Sequence, residues 1–179
     1  MTHDLVIRGG TIADGKGSPL FEADIAIDDG RISIVGKVTA NGREEIDARG
    51  LLVAPGFVDI HSHYDAQVIW DQHLHSSSWH GVTTTVMGNC GVGFAPVRDA
   101  DREILIELME GVEDIPGAVL REGLSWEWNS FPEYLDAVER RPHDMDVCAQ
   151  LPHSALRVFV MGERAVNREA AKPEDIAEI

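Results

Sequence analysis

Short runs of alternating apolar and polar residues fill the first 54 positions. Leu5-Val6-Ile7 comes before Gly9-Gly10, and Thr11-Ile12-Ala13 before Asp14-Gly15. Side chains alternate from Ala23 to Ile27, which sets Ile25 and Ile27 on one side of a strand. Asp28-Asp29-Gly30 reads as a turn, and Arg31-Ile32-Ser33-Ile34-Val35 alternates again. Acidic-Gly and Gly-Gly pairs between such runs predict hairpins. Residues 1–54 are therefore expected to form a small all-β unit, too short to close a stable sandwich alone.

The pattern changes at Pro55-Gly56. Phe57 to Ile60 is a continuous apolar run apart from Asp59, as expected for a strand covered on both faces. Val82-Thr83-Thr84-Thr85-Val86-Met87 is a second such run, β-branched and ended by Gly88-Asn89-Cys90-Gly91. Val147-Cys148-Ala149-Gln150-Leu151 is a third, ended by Pro152-His153. Helical spacing lies between the second and third: Ile104, Leu105, Leu108 and Met109, then Tyr134, Leu135 and Val138 behind a capping box at Ser130-Phe131-Pro132-Glu133. Leu156 to Met161 and Pro173-Glu174-Asp175-Ile176 begin further helices. Strands alternating with helices predict an α/β domain with a parallel sheet over residues 55–179. Three strands fall short of a (β/α)8 barrel, which takes about 250 residues. The helical pattern at Ala177-Glu178-Ile179 has no cap, so the chain is expected to be the N-terminal portion of a larger protein.

Composition narrows the partners. Formal charge is −16, which disfavours nucleic acid and anionic membranes, both of which attract Lys and Arg. The 44% apolar content is that of a globular chain rather than a disordered one. Two cysteines, Cys90 and Cys148, make no disulfide framework, and the start lacks a basic and then apolar leader. No apolar run approaches the length of a membrane span. A reducing, cytoplasmic compartment is the expectation.

Candidate chemistry gathers at the strand ends. His61 and His63 stand at i and i+2, so two imidazoles can aim at one point, as a metal requires. Cys90 follows a β-branched strand inside a Gly-rich loop, where the backbone can approach a ligand closely. A thiolate is a strong zinc ligand, and two His with one Cys make a partial zinc shell. Cys148, in mid-strand, fits a buried inert thiol instead. Asp65 either orients an imidazole or caps a helix, the cap being slightly favoured. His73, His75 and His80 sit in a polar loop and read as surface residues. His153 ends the third strand and is expected to point toward the same mouth, where it can touch substrate. Thirteen acidic residues and four arginines lie between Asp99 and Asp144, and most of that charge reads as a solvated helix face. Trp126, Trp128 and Phe131 read as anchors of a loop. Dinucleotide, P-loop and serine-hydrolase patterns find no match.

Three stretches carry a resemblance. They are Ile60-His61-Ser62-His63-Tyr64-Asp65-Ala66-Gln67, Gly81 through Gly91 with Asn89-Cys90-Gly91 at its end, and Met109-Glu110-Gly111-Val112-Glu113-Asp114-Ile115-Pro116. Together with the preceding β unit and Pro55-Gly56-Phe57-Val58-Asp59, they resemble the D-aminoacylase (N-acyl-D-amino-acid deacylase) family of the amidohydrolase superfamily. The resemblance implies an incomplete metal-dependent (β/α)8 (TIM) barrel over 55–179. Residues 1–54 would then be the N-terminal part of a β-sandwich domain. Most of the superfamily bridges two metals with a carboxylated lysine, and here no lysine lies between Lys37 and Lys172. In the D-aminoacylase family a cysteine takes that bridging role, and Cys90 matches it.

The implied activity is hydrolysis of the amide bond of a small N-acyl-D-amino acid, with one tightly bound zinc and a second, weaker position. Metal ligands would be His61, His63 and Cys90. Two further histidines and the general-base aspartate are expected beyond Ile179, in the missing C-terminal part of the barrel. The isolated chain is thus expected to be inactive. The alternatives are a truncated non-catalytic fragment or split-protein partner, and an amidohydrolase acting on a cyclic amide, which the missing lysine disfavours.

Overall fold

The computed structural model describes residues 2–179. The chain divides into two compact units, one up to Pro55 and one from Gly56 to Ile179.

The first unit is a sheet of β1 (His3–Ile12), β2 (Phe21–Asp28), β3 (Arg31–Gly36), β4 (Gly42–Asp47) and the short β5 (Leu52–Val53). The strand order is β3-β2-β1-β4, with β5 also pairing with β1. β1 runs antiparallel to β2 and parallel to β4 and β5. Gly9-Gly10 does not separate two strands, contrary to the turn expected there. β1 runs straight through it with a register shift between Ile7 and Gly10. Glycine serves this bulge in two ways. Gly9 takes φ +65°, and a Cβ on Gly10 would come within 2.5 Å of Val53 Cγ2. The Asp28-Asp29-Gly30 turn does form a hairpin, with φ of 52° at Asp29 and 71° at Gly30, the positive pair that a twisted two-residue connection requires.

The second unit holds three parallel strands in chain order: β6 (Phe57–Ser62), β7 (Val82–Met87) and β8 (Asp146–Ala149). Between β6 and β7 lie a 3-10 turn at Gln67–Ile69 and the single-turn α1 (His75–Ser78). β7 leads into α2 (Arg102–Glu113), α3 (Gly117–Gly123) and α4 (Phe131–Glu139). After β8 come α5 (His153–Met161), α6 (Glu163–Val166) and α7 (Pro173–Glu178). Strand, helical crossover and parallel strand form the repeating unit of a (β/α)8 barrel.

The core sits between sheet and helices. Met87 from β7, Phe94 from the loop after it, Leu105 and Met109 of α2, Leu120 of α3, Trp128 and Tyr134 are all buried. The Trp128 indole N–H donates to the Phe94 carbonyl at 2.8 Å, so the aromatic cluster anchors its loop. Ser130 and Glu133 form the reciprocal capping box that starts α4.

Two expectations about burial fail. Phe57, Val58 and Ile60 are exposed, and Cys148 is exposed as well. Both follow from the sheet. β6 and β8 are its two edges, and within 56–179 the packed helices cover it incompletely. The apolar β6 run, expected to be covered on both faces, is exposed at Phe57, Val58 and Ile60.

Candidate metal centre

β6 delivers His61 in its last turn of pleat and His63 just beyond its end. Their rings stack, with centroids 5.3 Å apart and planes 13° from parallel, as the two-residue period of a strand demands. The Asp59 carboxylate accepts the His61 backbone N–H at 3.0 Å and stiffens this exit.

The neighbouring strand delivers Cys90. β7 ends at Met87, and the backbone then turns through Gly88 (φ +82°) and Gly91 (φ +88°). A Cβ on Gly88 would lie 2.3 Å from the Gln150 carbonyl oxygen, so no side chain fits there. The Gln150 N–H donates to the Met87 carbonyl at 2.9 Å. On the other side, the Asn89 side-chain amide donates to the Ile60 carbonyl. Contacts to both flanking segments thus pin the loop that carries Cys90.

The result is a cluster of three donors. One donor atom each from His61, His63 and Cys90 lies within 4.8 Å of the others. Cys90 Sγ is 3.9 Å from His63 Nδ1. Two donors on one zinc ion lie about 3.6 Å apart at the tetrahedral angle, and paired ions in two-metal sites lie about 3.5–4 Å apart. The separations therefore suit one ion or a shared pair. Imidazole nitrogen and thiolate sulfur are the donor types that zinc favours. By geometry and by chemistry, these residues fit zinc.

Two carboxylates stand beside His63. Glu113, the last residue of α2, has a carboxylate oxygen on His63 Nδ1. Most of the acidic charge from Asp99 to Asp144 is expected on a solvated face, and Glu113 is an exception to it. Its side chain is only 18% exposed. Asp65 is the second carboxylate and is buried. Burial pushes its carboxyl up to about 7, and nearby Glu113 adds to the rise; backbone N–H groups, including that of Gly88, and the neighbouring His63 oppose it. One Asp65 oxygen, Oδ2, has no hydrogen-bond partner. Asp65 does not cap a helix, contrary to the slightly favoured expectation. Ala66 holds the cap position of the 3-10 turn, with no side-chain cap bond. The backbone carbonyl of Asp65 instead accepts the buried Tyr134 hydroxyl at 2.8 Å.

The remaining histidines stay apart from this cluster. His73, His75 and His80 are exposed, and His73 pairs with Asp144 at 2.8 Å. The Asp144 hydrogen bond and charge raise the pKa of His73. His153 is placed differently from expectation. β8 stops at Ala149, and Pro152 opens α5 with His153 as its first residue. His153 is among the residues lining a cavity of about 410 Å³ between α2, α5 and α6, together with Glu107, Arg157 and Arg168. It keeps one link to the centre, because the Ser154 N–H beside it donates to the Gly91 carbonyl at 2.7 Å.

Comparison with known proteins follows the same lines. D-aminoacylase of Alcaligenes xylosoxydans xylosoxydans is 34% identical over 179 residues, covering 98% of this chain and 35% of that protein. A solved D-aminoacylase described by its binuclear metal centre superimposes with a TM-score of 0.80 at 32% identity, over 98% of this chain and 34% of its own. N-acyl-D-glutamate deacylase of Bordetella bronchiseptica, solved with zinc and a phosphonate mimic of the tetrahedral intermediate, gives 0.78 at 30% identity, over 99% of this chain and 35% of its own. The chain spans about a third of the length of these relatives. Residues 44–179 match the Amidohydrolase family, so this chain belongs to that family.

Proposed function

We propose that the polypeptide built on these residues is a zinc-dependent hydrolase that cleaves the amide bond of N-acyl-D-amino acids. The observation that carries this reading is the convergence of His61, His63 and Cys90 within 4.8 Å at the ends of two adjacent parallel strands. Its support from relatives is the likeness to D-aminoacylase and to N-acyl-D-glutamate deacylase along nearly the whole chain. His61, His63 and Cys90 would hold the metal. Zinc in such a site supplies Lewis acidity, which polarises an amide carbonyl and makes water a competent nucleophile near neutral pH.

The chain's own residues do the preparatory work. Gly88 and Asn89 fix the loop so that the Cys90 sulfur faces the imidazoles. Asp65 lies buried two residues after His63. His153, linked to the Cys90 loop through Ser154, is the residue of this chain proposed to touch substrate. A cytoplasmic, reducing compartment suits a centre that needs Cys90 as a free thiol. Three donors do not close a catalytic zinc shell together with a positioned base. We therefore propose that residues 1–179 alone do not turn over. The remaining ligands and a general-base aspartate would come from further strands.

Zinc analysis beside an assay of acetate release from N-acetyl-D-amino acids tests this reading. In the longest reading frame that contains these residues, Cys90→Ala is expected to lose tightly bound zinc and activity together. Unchanged zinc content would defeat the assignment. Acetate release by the 179-residue chain would defeat its second part.

A further inference from the structure

We propose that Glu113 is a positioning residue of the metal centre: its carboxylate sits on His63 Nδ1 and holds that ring in place beside Cys90. The inference rests on the zinc-site reading above and adds a residue outside the three-donor cluster.

Position within the helix is the first argument. Glu113 closes α2, and Asp114 stops the helix with φ 54°. The C-terminal end of a helix carries partial negative charge and disfavours a carboxylate there. No basic residue in the last turn offsets it. A carboxylate kept at this unfavourable place needs a partner from elsewhere.

Burial is the second. The other acidic residues of α2, Glu103, Glu107 and Glu110, are exposed to solvent. Glu113 is turned inward, and its partner is His63 Nδ1, fifty positions earlier in the sequence. A carboxylate mostly out of water costs stability unless it is paired.

Chemistry is the third. An imidazole ligand has two equivalent-looking nitrogens, and the hydrogen bond made by one decides which is free for metal. A carboxylate on one ring nitrogen fixes the tautomer and the ring plane. His63 has a 28% exposed side chain just past the end of β6, so the strand alone does not hold its ring. Glu113 supplies that hold from α2 and couples the helix after β7 to the ligand after β6.

Zinc titration of the purified chain, monitored by competition with a chromophoric chelator, is the test. Glu113→Ala is expected to weaken zinc binding about 10–100-fold. Glu113→Gln, which keeps an acceptor of the same length, should lose less. In a His63→Ala background, Glu113→Ala should cost nothing further, which a merely structural residue would not obey. Cobalt(II) bound in place of zinc should show an altered visible spectrum in Glu113→Ala. Should Glu113→Ala not fold, as judged by circular dichroism, Glu113→Gln carries the same comparison in the single and double variants. Zinc affinity within twofold of wild type in both variants, or an equal loss with His63 absent, would overturn the role of Glu113 while leaving the zinc site standing. A wild-type chain that binds no zinc would overturn both.

Discussion

At the residue scale, the centre depends on backbone freedom as much as on donors. Gly88 turns the chain out of β7 with φ +82°, and its missing Cβ leaves room for the Gln150 carbonyl. Gly88→Ala is therefore expected to cost about 2–3 kcal/mol and to move Cys90 off the imidazoles. Chemical unfolding together with bound zinc per chain checks this. Normal zinc content at normal stability would refute it. The residues that would carry metal were legible because their spacing has one geometric meaning. His61 and His63 share a face by strand period, and a cysteine in a Gly-rich loop after a β-branched run stands at a strand end. Glu113 was not legible from periodicity, because nothing in a row of acidic residues says which one turns inward. Its signals were its place beside the helix-ending Asp114-Ile115-Pro116 and within one of the stretches that carry the family resemblance. Asp65 misled for a related reason: an Asp before a polar turn suits a cap, and only packing shows that its carboxylate is buried.

At the scale of elements, helices report on the site through single hydrogen bonds. α4 begins on the Ser130–Glu133 capping box, which the sequence pattern shows directly. Its apolar face brings Tyr134 under the segment that follows β6, where the hydroxyl donates to the Asp65 carbonyl at 2.8 Å. Tyr134→Phe keeps the ring and removes that donor from a buried acceptor. The expected loss is about 1–2 kcal/mol, read as a lower denaturant midpoint at an unchanged m value. A midpoint equal to wild type would show that water or a shifted backbone replaces the hydroxyl. Element boundaries at Pro152-His153 set His153 at the start of a helix rather than at a strand end. An apolar run up to Leu151 looks like one strand, yet β8 stops at Ala149 and the proline starts a helix. His153 then leaves the strand direction and lines a cavity between helices. Gly9-Gly10 shows the same ambiguity in the first unit. A glycine pair marks either a turn or a bulge, and the choice is made by β5 packing against Gly10 rather than by local sequence.

At the scale of the whole molecule, the sheet of the second unit has open edges. β6 presents Phe57 at 66%, Val58 at 59% and Ile60 at 70% exposure, on a strand that pairs on one side only. An edge strand with unpaired backbone groups and apolar side chains is a template for a further strand. The sequence pattern of this segment describes a covered strand, so its chemistry and its exposure disagree within residues 1–179. The acidic surface opposes association at long range but is screened at physiological salt within about 8 Å. The short-range edge should therefore prevail as salt rises. Sedimentation velocity of the 179-residue chain is expected to show association that grows with concentration and with ionic strength. Val58→Lys places a charge on the edge, the device by which natural sheets block such pairing. This change should shift the distribution toward monomer without lowering the zinc content, because Val58 lies three residues before His61 and outside the donor cluster. A chain that stays monomeric at high salt and high concentration would show that the β6 edge is protected within these residues. The exposed Phe57, Val58 and Ile60 would then not act as a pairing template.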